Sequence, residues 1–283
     1  MIVTGSTSQS LAAELAAETG ERLASVSFDR FPDGEQKVQV EKGDVDSDHA
    51  IVVASTVTDR SFVELLQLQD ALRERGVDEV TTVLPYMGYA RQERAFEPGD
   101  PVSARAVARA ISTGTDRVLT VNPHEEVVCE FFDVPAETVD AAGLLAEPLD
   151  DLDDALFLAP DEGAIDLAET VRNAYGSGDT DHFEKTRHSG TEVSIEPSDT
   201  TVDGRSVVLV DDIVTTGTTM SESIAVLNER GASAVYVTCI HPMLVRNAHL
   251  KLARAGVEAI YGTDTIERPV SAVSVAPVIA DAL

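Results

Sequence analysis

The residues best suited to do chemistry lie in one run, Val207-Val208-Leu209-Val210-Asp211-Asp212-Ile213-Val214-Thr215-Thr216-Gly217-Thr218-Thr219-Met220. Adjacent carboxylates can accept vicinal hydroxyls. A small-residue backbone opening a helix offers N–H groups and a dipole to a phosphate. A sugar phosphate asks for both together. The apolar residues ahead of the acids predict a strand buried on both faces of a parallel sheet. After the loop, Thr219-Met220-Ser221-Glu222 has capping-box spacing, and Ile224, Ala225 and Leu227 form an apolar stripe closed by Gly231. The plain alternative is an ordinary strand-to-helix turn that carries aspartate, and the Thr-Thr-Gly-Thr-Thr sequence argues against it.

Other clusters suit a nucleotide. Pro85-Tyr86-Met87-Gly88-Tyr89-Ala90-Arg91-Gln92-Glu93-Arg94 follows an expected strand, Val80 to Leu84. Guanidinium groups there can stack on a base and fork onto phosphate oxygens. In the turn Arg30-Phe31-Pro32-Asp33-Gly34-Glu35, Phe31 can stack on a base, although a simple hairpin tip is the default reading. His124, in Asn122-Pro123-His124-Glu125, is either a satisfied turn residue or a group for Mg²⁺ or phosphate. Asp161 could face a metal or sugar, or merely cap a helix. Lys185 and Arg187 flank one residue ahead of Gly190, so on an extended strand they share a side. They suit a closing arm for a polyphosphate, with solvated loop cations as the alternative.

The elements that must hold these residues alternate strand and helix. Strands are expected at Ile2-Val3, Ala50 to Ser55, Val118 to Val121, Ala234 to Ile240 and Val257 to Tyr261. Helices are expected at Ser8 to Thr19, Ser61 to Arg75, Ser103 to Ser112, His249 to Ala255 and Val273 to Leu283. Leu72-Arg73-Glu74-Arg75-Gly76 matches Leu227-Asn228-Glu229-Arg230-Gly231, and in that alignment Thr56 and Val57 stand in place of Asp211 and Asp212. The pattern predicts an α/β fold of two tandem doubly wound parallel-sheet domains, 1–146 and 147–283, joined in the acidic segment Glu147 to Asp154. The last helix could return to the N-terminal domain.

Composition narrows the partners. A formal net charge of −29 over 283 residues, with four lysines, repels nucleic acid and anionic lipid, and suits solubility in concentrated salt. Cys129 and Cys239 are too few for a disulfide framework and lie in apolar segments. The first twenty residues lack the basic start of a signal peptide, and no apolar run of ~18 residues is present, so a cytoplasmic protein without a membrane span is expected.

The Asp211–Thr219 run resembles the phosphoribosyl-diphosphate (PRPP) loop of type I phosphoribosyltransferases and ribose-phosphate pyrophosphokinases, with Thr215 and Gly217-Thr218 where many members carry an acid and a Gly-Gly pair. Taken with Arg30 to Glu35, Tyr89 to Arg94, Asn122-Pro123-His124 and Lys185-Thr186-Arg187, the chain resembles the ribose-phosphate pyrophosphokinases over nearly its full length, in the form of the archaeal members, which fits a halophile's acidic surface. The resemblance implies the two domains are of the type I phosphoribosyltransferase kind, with ATP on the first and ribose 5-phosphate on the second. It implies diphosphoryl transfer from ATP to the 1-hydroxyl of ribose 5-phosphate, giving PRPP and AMP with Mg²⁺ as cofactor. By the same resemblance Phe31 and Arg91 hold adenine, Asp33 and Glu35 bond its edge, and Gln92 and His124 meet the phosphates. His124 and Asp161 stand near the metal, and Asn122 replaces a common aspartate. Asp211 and Asp212 take the ribose hydroxyls, Thr215, Thr216, Gly217, Thr218 and Thr219 the 5-phosphate, and Lys185 and Arg187 act on the diphosphoryl group. The adenine turn is expected to reach across from a neighbouring subunit of a homo-oligomer. A PRPP-consuming transferase and a catalytically silent regulatory relative remain as rival expectations.

Overall fold

A computed structural model describes residues 1–41, 47–152, 154–187, 193–197 and 200–283, with 184–187 and 193–197 described as backbone. They form two compact units, one of Met1–Asp140, Asp264–Glu267 and Ser274–Leu283, the other of Ala141–Thr263 and Arg268–Val273. The acidic stretch from Glu147 therefore falls inside the second unit.

In the first unit the order is β1 (Ile2–Thr4), α1 (Gln9–Thr19), β2 (Val26–Arg30), β3 (Gln36–Val40), β4 (His49–Val53), α2 (Asp59–Glu74), β5 (Glu79–Leu84), α3 (Ser103–Ser112), β6 (Arg117–Val121) and β7 (Ala136–Val139). Strands β1-β4-β5-β6-β7 make a wholly parallel sheet, and β2 and β3 an antiparallel hairpin. Alternate strand residues Val3, Ala50, Val52, Val80 and Leu84 share a core with Leu65, Leu68 and Leu72 of α2 and Val107 and Ile111 of α3. Both faces of β4 are buried, the reason its sequence is continuously apolar. Helix α2 starts two residues before the expected Ser61, because Thr58 is the cap. The Thr58 hydroxyl accepts the Ser61 N–H at 3.1 Å, and the Ser61 hydroxyl accepts the Thr58 N–H at 2.9 Å.

The second unit contains β8 (Leu156–Ala159), α4 (Ile165–Tyr175), β9 (Asp179–Arg187), β10 (Val193–Pro197), β11 (Ser206–Ile213), α5 (Thr218–Glu229), β12 (Ala234–His241), α6 (Ala248–Ala255), β13 (Ala259–Thr263) and β14 (Ser271–Val273). The sheet order is β10-β9-β8-β11-β12-β13-β14, parallel except for the β9/β10 pair. Leu156, Leu158, Val207, Leu209, Val235 and Val237 pack with Met220, Ile224 and Leu227 of α5 and Leu252 of α6. The chain then returns to the first unit, where α7 (Ala276–Ala282) packs on α1. The helix expected from Val273 starts later, since Val273 closes β14 by pairing with Thr263.

Candidate active site

In the second unit the acid pair ends a strand. Strand β11 runs through Asp211 and Asp212 to Ile213, with Asp211 in register with Cys239 and Ile213 with His241 of β12. Both acids therefore stand at the carboxyl end of a parallel sheet, where such folds bind ligands. Cys239 is fully buried in the core behind them, and burial pushes its thiol far up. The Asp212 N–H donates to Asp211 Oδ1 at 2.9 Å. Burial first, then the adjoining Asp212 carboxyl and, more weakly, Asp161 hold the Asp211 carboxyl well above the usual carboxylate range. Asp161 follows β8 and precedes the single turn Glu162–Ala164, yet its side chain makes no capping hydrogen bond, so capping does not account for it.

This crowding of negative charge is what a divalent cation relieves, and oxygen ligands suit Mg²⁺. Among the described residues no group of three His, Cys, Asp or Glu is gathered tightly enough to hold an ion alone. The acids fit a metal that shares its shell with substrate oxygens.

The loop beyond the acids is held from behind. Leu244 N–H donates to the Val214 carbonyl at 2.9 Å, Val245 N–H to that of Thr215 at 3.0 Å, and Lys251 Nζ to that of Thr216 at 3.3 Å. Three successive carbonyls are thus committed to the 244–251 segment. In a planar trans peptide the next N–H points the opposite way. The amides of Thr215, Thr216 and Gly217 accordingly turn away from that segment, which is how a backbone nest for an anion is built. Gly217, at φ 67°, is the N-cap of α5 and has no side-chain cap hydrogen bond to offer. The expected capping box led by Thr219 does not form. The left-handed Gly217 starts the helix early, Thr219 is already inside it, and the Ser221 hydroxyl donates to the Thr218 carbonyl at 2.8 Å.

The first unit carries the clusters suited to a nucleotide. Between β2 and β3 a tight turn is closed by Phe31 N–H to the Glu35 carbonyl, 2.9 Å, and Gly34 N–H to the Phe31 carbonyl, 2.8 Å. Asp33 Oδ1 accepts the Glu35 N–H at 3.2 Å, the Phe31 ring is 47% exposed, and Lys37 Nζ lies 6.0 Å from its centre. After β5, Gly88 N–H donates to the Thr56 hydroxyl at 2.8 Å, and a Cβ on Gly88 would fall 2.2 Å from the Thr56 carbonyl. Thr56, which aligns with Asp211 in the sequence repeat, is therefore spent on clamping this loop. Tyr89 takes a left-handed φ of 66° and its hydroxyl bonds to Asp59, the main cause raising its pKa. Gln92 is tied to the start of α3, accepting the Ser103 hydroxyl at 2.5 Å and the Ala104 N–H on its carbonyl at 3.2 Å. Arg91 and His124 are exposed, and Asn122, at φ 33°, donates from its side-chain amide to Asp140 at 2.8 Å.

Of the anticipated residues, Phe31, Asp33, Glu35, Arg91, Gln92 and His124 thus belong to the first unit. Asp161, Lys185, Arg187, Asp211, Asp212 and Thr215 to Thr219 belong to the second. Lys185 and Arg187 are in β9, opposite Ile195 and Val193 of β10, and Gly190 lies outside the described residues. Sequence reasoning missed Lys251 at the loop and the Glu64–Gln36 contact that anchors the hairpin. Lys251 had one signal, its rarity as a cation. The hairpin contact had none, because its partners are far apart in the chain.

The residues 130–271 match the phosphoribosyl transferase domain, and 1–114 match the N-terminal domain of ribose phosphate pyrophosphokinase. A phosphoribosyltransferase-type fold is therefore the class that sheet and loop define. A ribose-phosphate pyrophosphokinase from Halobacterium salinarum is 64% identical over 100% of both chains, and one from Methanosarcina mazei 47% identical over 100% of this chain and 94% of its own. The crystal structure of phosphoribosylpyrophosphate synthetase from Mycobacterium smegmatis superposes with a TM-score of 0.85 at 27% identity, covering 100% of this chain and 96% of that one. The chain belongs to the ribose-phosphate pyrophosphokinase family.

Proposed function

We propose that the chain transfers the diphosphoryl group of ATP to the 1-hydroxyl of ribose 5-phosphate, forming PRPP and AMP. The observation that carries this reading is the crowded acid pair Asp211–Asp212 running directly into the amide nest at Thr215–Gly217. Carboxylates accept the vicinal ribose hydroxyls, and outward-turned amides with the α5 dipole take the 5-phosphate. That grip leaves the 1-hydroxyl to attack. Attack at the β-phosphorus needs in-line placement and charge neutralisation more than covalent help from the protein.

The other roles follow the family pattern. Phe31 and Arg91 hold adenine, Asp33 and Glu35 read its edge, and Gln92 and His124 meet the phosphates. The hairpin bearing Phe31 serves the adenine site of a neighbouring subunit in a homo-oligomer. Mg²⁺ would supply the charge neutralisation when bound, and by the family pattern His124 on the first unit and Asp161 on the second are each metal-side groups. Lys185 and Arg187 offset charge on the moving group, so Lys185→Ala should lower kcat ~10²- to 10³-fold. The working place is the cytoplasm of a halophile. None of the described helices is long and apolar enough to cross a membrane, and the net charge of −29 disfavours nucleic acid as a partner.

The test is product analysis. AMP should form from ATP only when ribose 5-phosphate is added, with PRPP in equal amount. Formation of nucleotides from PRPP and free bases, without AMP from ATP, would overturn the assignment in favour of a transferase that consumes PRPP.

A further inference from the structure

Four lysines serve the whole chain, and one of them is spent on a loop carbonyl. Lys251, on α6, donates from Nζ to the Thr216 carbonyl at 3.3 Å and to the Thr218 hydroxyl at 2.8 Å, and the Thr216 and Thr218 hydroxyls are 3.3 Å apart. The two carbonyls before it, of Val214 and Thr215, are fixed by backbone amides of Leu244 and Val245. The Thr216 carbonyl is the third of the series and is met by a side chain. Its peptide is also the one that carries the Gly217 N–H, at the point where the chain turns left-handed into α5. Planarity couples the two ends of that peptide, so holding the carbonyl back aims the amide forward.

We propose that Lys251 is a positioning residue for the 5-phosphate of the sugar substrate. It pins the Thr216–Gly217 peptide so that its N–H faces the phosphate. By donating to the Thr218 hydroxyl oxygen it also leaves the Thr218 proton to be given away, to the phosphate or to the neighbouring Thr216 hydroxyl. Its ammonium adds positive charge behind a cradle that must admit a dianion in a protein of net charge −29. The proposal rests on the reading of this loop as the ribose 5-phosphate site and adds the residue that sets its shape.

The experiment compares wild type with Lys251→Met and Lys251→Arg. It combines AMP-formation kinetics with calorimetric titration of ribose 5-phosphate, and with thermal unfolding as a folding control. Methionine keeps the stem and removes the donor. Lys251→Met should weaken ribose 5-phosphate binding and raise its KM about 10- to 100-fold, the usual weight of a hydrogen bond to a charged group. The KM for ATP should stay within about threefold, and kcat should move less than KM, because the contact is made in ground and transition states alike. Lys251→Arg, which keeps charge and donors, should recover part of the loss. A Lys251→Met protein that unfolds like wild type and binds ribose 5-phosphate as tightly would overturn the proposal. So would a loss that falls on kcat alone or on ATP. A wild type that makes no AMP from ATP and ribose 5-phosphate would instead sink the functional reading, before any variant is considered.

Discussion

Asp211 shows what single residues contribute. Its carboxyl is held high by burial and then by Asp212, so it takes up a proton at a higher pH than an exposed aspartate. Only the ionised form accepts two sugar hydroxyls well. With Mg²⁺ left out, ribose 5-phosphate binding followed by calorimetry should therefore fall off on its acid side at a pH above the ordinary carboxylate range. Asp212→Asn removes the like charge and should move that limb to lower pH. Asp211→Asn should abolish the limb and cost about 10- to 100-fold in kcat/KM for ribose 5-phosphate. An acid limb unmoved by Asp212→Asn would refute this account. Gly217 makes a second case. An alanine there would hold a left-handed φ and bring its Cβ 3.3 Å from the Ala248 carbonyl, so Gly217→Ala should lift the KM for ribose 5-phosphate with little change for ATP. That the acids end a strand and the loop opens a helix was legible in the sequence because these residues are contiguous. Lys251 was not, because a helix three elements downstream delivers it. The failed capping box at Thr219 has a related cause: the spacing was right, but the left-handed Gly217 had already started the helix.

At the scale of elements, the β2–β3 hairpin depends on α2. Gln36 donates from Nε2 to Glu64 at 2.8 Å, accepts Arg60 Nε at 2.9 Å, and its carbonyl accepts Gln67 Nε2 at 3.0 Å. Glu64 is buried and also accepts the Ser6 N–H at 2.5 Å and the Ser6 hydroxyl at 2.9 Å. A buried carboxylate with three donors is a firm post, and the turn bearing Phe31 ends one residue before Gln36. Gln36→Ala removes the two side-chain ties of the hairpin to α2, those to Glu64 and Arg60, while leaving the Gln67 bond to its carbonyl and the Ser6 donors to Glu64. The expected result is a KM for ATP raised severalfold, an unchanged KM for ribose 5-phosphate and a modest loss of thermal stability. Equal effects on both substrates would argue that the hairpin has no special link to the nucleotide. The fold itself was largely readable, since runs such as Ala50–Val53 and Val207–Val210 are apolar on both faces and only a parallel sheet buries them so. What escaped was set by distant partners. Strand β14 is three residues long and exists because β13 pairs with it. The helix expected from Val273 was shortened for the same reason.

At the scale of the molecule, the chain's last segment is pinned by a buried acid. Asp264 accepts Ser274 Oγ at 2.7 Å and the Val275 N–H at 2.8 Å, and burial, with Glu14 adding repulsion, raises its pKa to about 6. A raised folded pKa gives stability that is present below about 4 and lost as pH rises through about 6. Between pH 4 and 7 the wild type should lose up to about 3 kcal/mol relative to Asp264→Asn, read from urea unfolding at both pH values; any constant offset from the amide cancels in that difference. The large net negative charge acts more broadly. A net −29 on 283 residues repels itself through water, and that repulsion is strongest where the Debye length is long. The length shrinks from about 10 Å at 0.1 M salt to about 3 Å at 1 M. Both substrates are anions and meet the same field, so salt should act on folding and on binding in the same direction. Raising KCl from 0.1 to about 2 M should raise Tm by several degrees and lower the KM for ATP and ribose 5-phosphate over the first part of that range. Sodium chloride should do the same and sucrose should not reproduce the KM change, because screening depends on ions and not on excluded volume. A Tm that stays flat across the series would mean that the acidic surface is already balanced by bound counter-ions or by contacts between subunits, and that self-repulsion does not govern this fold.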